Sequence, residues 1–179
     1  MTDKELLDKI RNPETRNYGF NLLVRTYQKR VYYHIRKMVI DHDDADDLTQ
    51  EVFLKIFRHI HHFREDAQLF TWIYRIATNE CLSFLQRKKR RFFLPIGDVA
   101  RELSAKIDSS PHLSGDEIQK KLQKALLTLP EKQRLVFNMK YFDDLSYEQI
   151  AEITGTTIGA LKASYHHAVK KIEEYLNHV

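Results

Sequence analysis

The stretch DHDDADDLTQEVF, residues 41–53, places five aspartates and one glutamate in a chain whose formal net charge is +4. Carboxylates at this density can bind a metal ion, act as catalytic acids or bases, or form a surface for a basic partner. A calcium-binding loop needs a glycine at its sixth position, whereas counting from Asp41 places Asp46 there. A two-metal nuclease needs carboxylates that converge from several elements, and one helix does not supply them. We therefore predict neither a metal site nor a catalytic residue in this stretch.

The position of these residues on a helix favours the partner surface. The carboxylates share one helical stripe, and the opposite stripe is apolar, with Ala45, Leu48, Val52, Ile56 and Ile60. Asp41 or Asp43 also suits the start of a helix, where it can cap free N–H groups and complement the helix dipole. Capping accounts for the first aspartates but not for the residues that follow them. We predict that those residues form an exposed docking surface of Asp47, Gln50, Glu51 and Leu54.

A second candidate interface is FREDAQLFTWIYRIATNECLSFLQRKKRR, residues 63–91, where aromatic and basic residues are interleaved. Aromatic rings stack on unpaired bases while Lys and Arg follow the phosphates, so this composition suits single-stranded nucleic acid. The loop from Phe63 to Leu69 is the better candidate for base contact, because a loop can wrap an extruded base. Trp72 shares a helical face with Ile76 and Asn79, and the pattern leaves open whether Trp72 packs in the core or stacks on a base.

A third candidate is YEQIAEITGTTIGALKASYHHAVKKI, residues 147–172. Ala151 and Gly155 are four residues apart and Leu161 follows six later, which is the spacing of a helix-turn-helix; a plain helical hairpin is the alternative. Ser146 and Gln149 form a capping box before the first helix. If the second helix enters a major groove, the side chains that can reach bases or phosphates are Lys162, Ser164, His166, His167 and Lys170.

The elements that position these surfaces are predicted to be helices, because the chain has few alternating apolar and polar runs and only five glycines and four prolines. Apolar spacing predicts helices over residues 18–39, from the acidic stretch to about residue 60, and from about residue 69 to the basic cluster at 87–91. The helical pattern ends at Pro95, and SSPHLSGDE, residues 109–117, is rich in turn formers. We predict an all-α protein with two small helical domains, residues 1–92 and 116–179, the second a helix-turn-helix, joined by a flexible linker at 93–115.

Composition narrows the class of protein. No apolar run reaches the roughly 18 residues that span a bilayer, and the charged N-terminus is unlike a signal peptide, so we expect a cytoplasmic protein without membrane insertion. Cys81 is the single cysteine, which excludes an internal disulfide and a multi-cysteine zinc site, and no cofactor is predicted. Acidic residues collect at 41–51 and basic ones at 87–91, which suggests two kinds of partner.

These motifs together resemble one family, the extracytoplasmic-function group of sigma-70-type bacterial sigma factors. DADDLTQEVFLKIF resembles region 2.2 of that family, FREDAQLFTWIYRIATN resembles regions 2.3 and 2.4, and LPEKQRLVFNMKYFDDLSYEQIAEITGTTIGALK resembles region 4. The resemblance covers nearly the whole chain, in order. It implies a transcription initiation factor without catalytic activity that binds core RNA polymerase, recognises the minus-35 and minus-10 promoter elements and helps to open the duplex.

The resemblance also implies roles for individual residues. Asp47, Gln50 and Glu51 match positions that dock on the clamp helices of the polymerase's largest subunit, and Leu54 lies beside them. Positions around the pocket for a flipped, single-stranded minus-10 base are matched by Lys55, Phe63 and Asn79, to which we add Arg64, Trp72 and Arg75. The second helix of the helix-turn-helix corresponds to the reader of the duplex minus-35 element. An anti-sigma factor, common in the family, is a further expected partner.

Two departures from the family pattern affect these expectations. Family recognition helices are often rich in arginine, whereas this helix has none, so it cannot make bidentate arginine contacts with guanine. We therefore expect the minus-35 element to be recognised partly through DNA shape. Glu65 occupies a loop position where glycine is common. Two other functions stay open: a helix-turn-helix regulator with an N-terminal sensor or dimerisation module, and a carboxylate-dependent nuclease.

Overall fold

The computed structural model describes residues 1–91, 96–109 and 116–178, and these ranges contain helices and no strand. The all-α prediction is thereby confirmed. A 3-10 turn, Ile60–His62, follows the third helix, and a π-helical turn, Asn138–Phe142, follows the seventh. The α-helices are α1 Asp3–Arg11, α2 Arg16–Val39, α3 His42–His59, α4 Leu69–Arg91, α5 Ile96–Asp108, α6 Glu117–Leu127, α7 Glu131–Phe137, α8 Tyr147–Thr154 and α9 Ile158–Asn177.

Helices α1 to α4 form an N-terminal bundle around an apolar core. The stripe predicted to face inward is buried, with Ala45, Leu48, Val52 and Ile56 on α3 and Ile60 in the 3-10 turn after it. Gly19 lets α1 lie close to α2, because a Cβ atom at residue 19 would stand 2.9 Å from the backbone nitrogen of Ile10. The side chains on the opposite, outer stripe of α3 therefore lie on the surface of this bundle.

Helices α6 to α9 form a C-terminal bundle whose own core contains Ala125, Leu126, Leu129, Phe137, Ala168 and Ile172. Helices α8 and α9 are the predicted helix-turn-helix. Ser146 and Gln149 form the capping box in front of α8, and Gly155 ends this helix with a φ of 70°, a left-handed conformation that favours glycine. Thr157 then caps α9, and Leu161 is buried beneath the turn.

The two bundles pack against each other. Leu135, Val136, Met139, Ile150 and Ile153 belong to the same apolar cluster as the core of α1 to α4. Helix α8 lies along α4, and two ion pairs cross the contact, Lys37 with Asp143 at 2.6 Å and Lys89 with Glu131 at 2.6 Å. The relative placement of the bundles, which the sequence left undefined, is thus set by apolar and charged contacts together.

Part of the segment predicted as a linker is helical. Leu103 and Ile107 of α5, four residues apart, are buried against Ile40 of the N-terminal bundle and Leu127 of the C-terminal bundle. Residues 110–115, most of the turn-forming stretch, lie outside the described residues. The domain boundaries at residues 92 and 116 stay predictions.

Candidate nucleic-acid and partner interfaces

The acidic stretch divides into two sets of side chains, of which the first stabilises the start of α3. The Asp41 carboxylate accepts a hydrogen bond from the Asp44 amide at 3.0 Å, and chiefly this bond holds the pKa of Asp41 below its ordinary value. Burial raises the pKa of Asp44. Lys106 of α5 lies 3.3 Å from the Asp41 carboxylate and 3.8 Å from that of Asp44. These two aspartates therefore anchor the helix and its contact with α5.

The second set points to solvent and is here called the docking face: Asp47, Gln50, Glu51 and Leu54. Leu54 is 55% exposed although it is a large apolar side chain. Within the described residues, neither Asp47 nor Glu51 forms an ion pair. A rigid helical surface with free carboxylates and one exposed leucine suits a partner with basic and apolar side chains.

The loop of residues 63–68, called the recognition loop, joins the 3-10 turn after α3 to α4. Phe63 is only 5% exposed, and its ring packs on that of Trp72 with 5.1 Å between the ring centroids. Trp72 is half-buried and packs against the core with its remaining surface accessible. Arg64 is exposed. The ring contact thus joins the start of the loop to α4, and Arg64 next to it is exposed.

The outer face of α4 carries the other residues predicted to contact the minus-10 element. Asn79 and Arg75 are exposed, and Lys55 of α3 forms an ion pair with the largely buried Glu80. The Arg75 guanidinium donates from Nε to the backbone oxygen of Glu152 in α8, at 3.0 Å. Of the residues predicted to contact the minus-10 element, Asn79 and Arg64 are exposed. Lys55 and Arg75 are bonded to Glu80 and Glu152.

Helix α9 presents the residues predicted to read duplex DNA. Lys162, His166, His167 and Lys170 are exposed, and Ser164 is half-buried. The Nζ atom of Lys162 lies 5.8 Å from the ring centroid of Tyr147, and that of Lys140 lies 4.9 Å from the same ring. This places positive charge beside the first turn of α8 as well as along α9.

A buried ionic contact between the bundles was not predicted from the sequence. Besides its ion pair with Lys37, Asp143 faces the Nδ1 atom of His34 at 3.6 Å, and the other ring nitrogen of His34 bonds with the Thr78 hydroxyl at 2.9 Å. Burial alone would raise the pKa of Asp143, but its contacts with His34 and Lys37 outweigh burial and hold that pKa below its ordinary value. In the sequence Asp143 resembles an ordinary turn residue, and no pattern indicates its partners.

A second unpredicted contact reaches the recognition loop from α1. Arg11 pairs with Glu65 and donates from Nη2 to the backbone oxygen of Phe63 at 3.1 Å. Glu65 has a φ of 60°, in the left-handed region that favours glycine.

Other kinds of site are not supported by the described residues. Among them, no group of three or more His, Cys, Asp or Glu side chains could hold a metal ion. Cys81 is buried, and burial raises the pKa of its thiol. None of the helices in the described ranges is both long and apolar enough to cross a membrane.

The chain is similar to known protein families and to known proteins along almost its whole length. The Sigma-70 region 2 family matches residues 23–91, and the family named Sigma-70, region 4 matches residues 119–172. The RNA polymerase sigma-H factor of Pseudomonas aeruginosa is 30% identical over 184 residues, which cover 97% of this chain and 93% of that protein. The ECF RNA polymerase sigma-E factor of Escherichia coli K12 is 29% identical, over 97% of this chain and 93% of its own length.

Two solved structures share the fold. The sigma factor RpoE from Bartonella quintana, in complex with the anti-sigma factor NepR, has a TM-score of 0.69 at 23% identity and covers 88% of this chain and 96% of its own. CnrH, in complex with the cytosolic domain of CnrY, has a TM-score of 0.69 at 20% identity and covers 98% of this chain and 97% of its own. With both family regions matched in order and relatives aligned over almost their full length, the chain belongs to the extracytoplasmic-function group of the sigma-70 family and is a promoter-recognising transcription initiation factor.

Proposed function

We propose that this protein binds core RNA polymerase through the docking face of α3, on the clamp helices of the largest subunit. The observation that carries this proposal is the exposure of Asp47, Gln50, Glu51 and Leu54 on the outer side of a helix whose inner side is buried. Charged groups on such a surface speed association and select the partner, while the exposed leucine supplies apolar contact. The chain itself carries out no catalysis and acts in the cytoplasm, where it meets the polymerase.

The minus-10 element is recognised as single-stranded DNA by the recognition loop and the outer face of α4. An unpaired base can lie against the loop, with Arg64 near the phosphates and Asn79 offering an amide to the base edge. The ring contact between Phe63 and Trp72 holds the start of the loop against α4, and Trp72 keeps an accessible surface for stacking. Lys55 and Arg75 add positive charge beside this surface once they are released from Glu80 and Glu152.

The minus-35 element is recognised as a duplex by α9 in the major groove. Lys162 and Lys170 contact phosphates, while Ser164, His166 and His167 reach base edges. Because the helix lacks arginine, DNA shape contributes to the choice of sequence. An anti-sigma factor is a further partner, since the structurally similar sigma factor RpoE was solved in complex with the anti-sigma factor NepR.

Reconstitution with core polymerase tests the proposal. The purified chain is mixed with core enzyme, and transcription starts are mapped over genomic DNA. We expect starts at a limited set of positions that share minus-35 and minus-10 sequences at a constant spacing. Core enzyme alone provides the control. A chain that fails to bind core enzyme, or that produces no starts beyond this control, would contradict the proposal.

A further inference from the structure

Helix α1 lies before residue 23, where the match to the Sigma-70 region 2 family begins, yet it touches the recognition loop. Arg11 is its last residue. The Arg11 guanidinium donates to the backbone oxygen of Phe63 at 3.1 Å and pairs with the carboxylate of Glu65. These two acceptors flank Arg64, so one side chain holds the backbone on both sides of an exposed basic residue.

The conformation of the loop explains why such an anchor is useful. Glu65 has a φ of 60°, in the left-handed region that non-glycine residues seldom adopt unless their surroundings hold them there. Its own carboxylate makes the contact with Arg11, so the residue with the unfavourable backbone is also the point of attachment. A glycine would adopt this backbone freely but would offer no carboxylate.

Arg11 is itself held in place by the packing of α1. Leu6, Leu7 and Ile10 are buried in the N-terminal bundle. The absence of a side chain at Gly19 permits the close approach of α2 described above, and the Thr15 hydroxyl donates to the backbone oxygen of Lys9 at 2.8 Å. The end of α1 is therefore a fixed point from which the planar, forked guanidinium can reach two acceptors at once.

We propose that Arg11 is a positioning residue for minus-10 recognition, which sets the shape of the recognition loop without touching DNA. The proposal rests on the function proposed above for that loop. The side chains of Arg11 and Glu65 are 37% and 39% exposed, and ion pairs at such positions contribute little to global stability. Loss of Arg11 consequently alters the local geometry of the loop while the bundle stays folded.

The test compares Arg11→Ala with Lys4→Ala, a matched control that removes an exposed cation from the same helix. Holoenzyme is assembled with each full-length variant, and open-complex formation is measured on a duplex promoter and on a promoter with unpaired minus-10 bases. We expect Arg11→Ala to reduce opening of the duplex promoter roughly two- to fivefold and to weaken the preference for the natural minus-10 bases on both templates. The melting temperature and the affinity for core enzyme should match those of Lys4→Ala.

Two further variants sharpen the result. Arg11→Lys keeps the charge but cannot donate to both acceptors in the same geometry, so it should fall between the wild type and Arg11→Ala. Glu65→Gly keeps the backbone conformation and removes the ion pair. If the pair acts as a unit, Arg11→Ala combined with Glu65→Gly should reduce opening by less than the product of the two single effects.

The outcomes separate this proposal from the one on which it rests. Impaired opening in Arg64→Ala and Asn79→Ala, together with normal opening and base preference in Arg11→Ala, would overturn the positioning role alone. Normal opening in all three variants would overturn the proposed role of the loop and, with it, that of Arg11. If Arg11→Ala lowered the melting temperature and the core affinity along with promoter opening, Arg11 would have a purely structural role. This result would also overturn the proposal.

Discussion

Asp143→Asn should loosen the contact between the two bundles, because Asp143 places a carboxylate from the C-terminal bundle in a polar pocket of the N-terminal one. Its side chain is 10% exposed, against 21% for Lys37 and 0% for His34. Asparagine has the same shape and can still accept a hydrogen bond from Lys37, but it cannot offset the lysine charge. The substitution therefore removes an electrostatic interaction without creating a cavity.

The size of the effect follows from this partial burial. Removing one partner of a fully buried ion pair costs about 3–5 kcal/mol because the other charge is left unpaired. Lys37 is accessible enough to regain water, and a hydrogen bond to asparagine persists, so we expect a smaller cost of about 1–2 kcal/mol. This cost corresponds to a roughly 5- to 30-fold increase in the ratio of separated to packed bundles. The pKa of Asp143 lies below its ordinary value, so this contribution is present above about pH 4 and lost as the pH falls through the lowered pKa.

Energy transfer between two dyes measures this ratio. Cysteines replace the exposed residues Gln28 on α2 and Lys171 on α9, and Cys81 can stay because it is buried and burial raises the pKa of its thiol. We expect lower transfer efficiency in Asp143→Asn than in the wild type at pH 7. Asp144→Asn, the same change at the neighbouring exposed residue, should leave the efficiency unchanged. Equal efficiency in all three proteins would refute the reasoning that Asp143 holds the bundles together.

Three other expectations concern the proposed interfaces. Glu51→Lys should weaken binding of core enzyme about tenfold without changing the melting temperature, whereas Asn79→Ala should leave core binding unchanged and impair promoter opening. Equal effects of the two variants on core binding and on promoter opening would contradict this division. Gly155→Ala should destabilise the helix-turn-helix by about 1–2 kcal/mol, as measured by thermal unfolding. The positive φ alone causes this loss, because an added Cβ would meet nothing within 4 Å. Lys162→Ala should weaken duplex binding on all sequences and lower its salt dependence, whereas His166→Ala should relax the choice of minus-35 bases, as titrations on a panel of duplexes would show.

Local patterns predicted those parts of the fold that depend on neighbouring residues. The inner stripe of α3, the capping box at Ser146 and the turn at Gly155 each follow from a few adjacent side chains and backbone sterics. The exposure of Leu54 was predicted by the same helical periodicity. These features need no knowledge of what the rest of the chain does.

Contacts between distant elements could not be predicted in this way. Asp143, Arg11 and Glu80 are charged residues of the kind that single-sequence patterns assign to the surface. Their bonds to Lys37, Glu65 and Lys55 span 106, 54 and 25 positions. The sequence pattern predicted a linker in place of helix α5, because Pro95 precedes this helix and turn-forming residues follow it after residue 108. Its apolar pair, Leu103 and Ile107, is buried only because both bundles meet there.

The contact between the bundles bears directly on the proposed function. Helix α8 holds the Arg75 guanidinium through the Glu152 carbonyl, so Arg75 can contact α8 or DNA phosphates but not both in the same geometry. On the function proposed above, separation of the bundles would break the bond to Glu152 and leave Arg75 available to the minus-10 element.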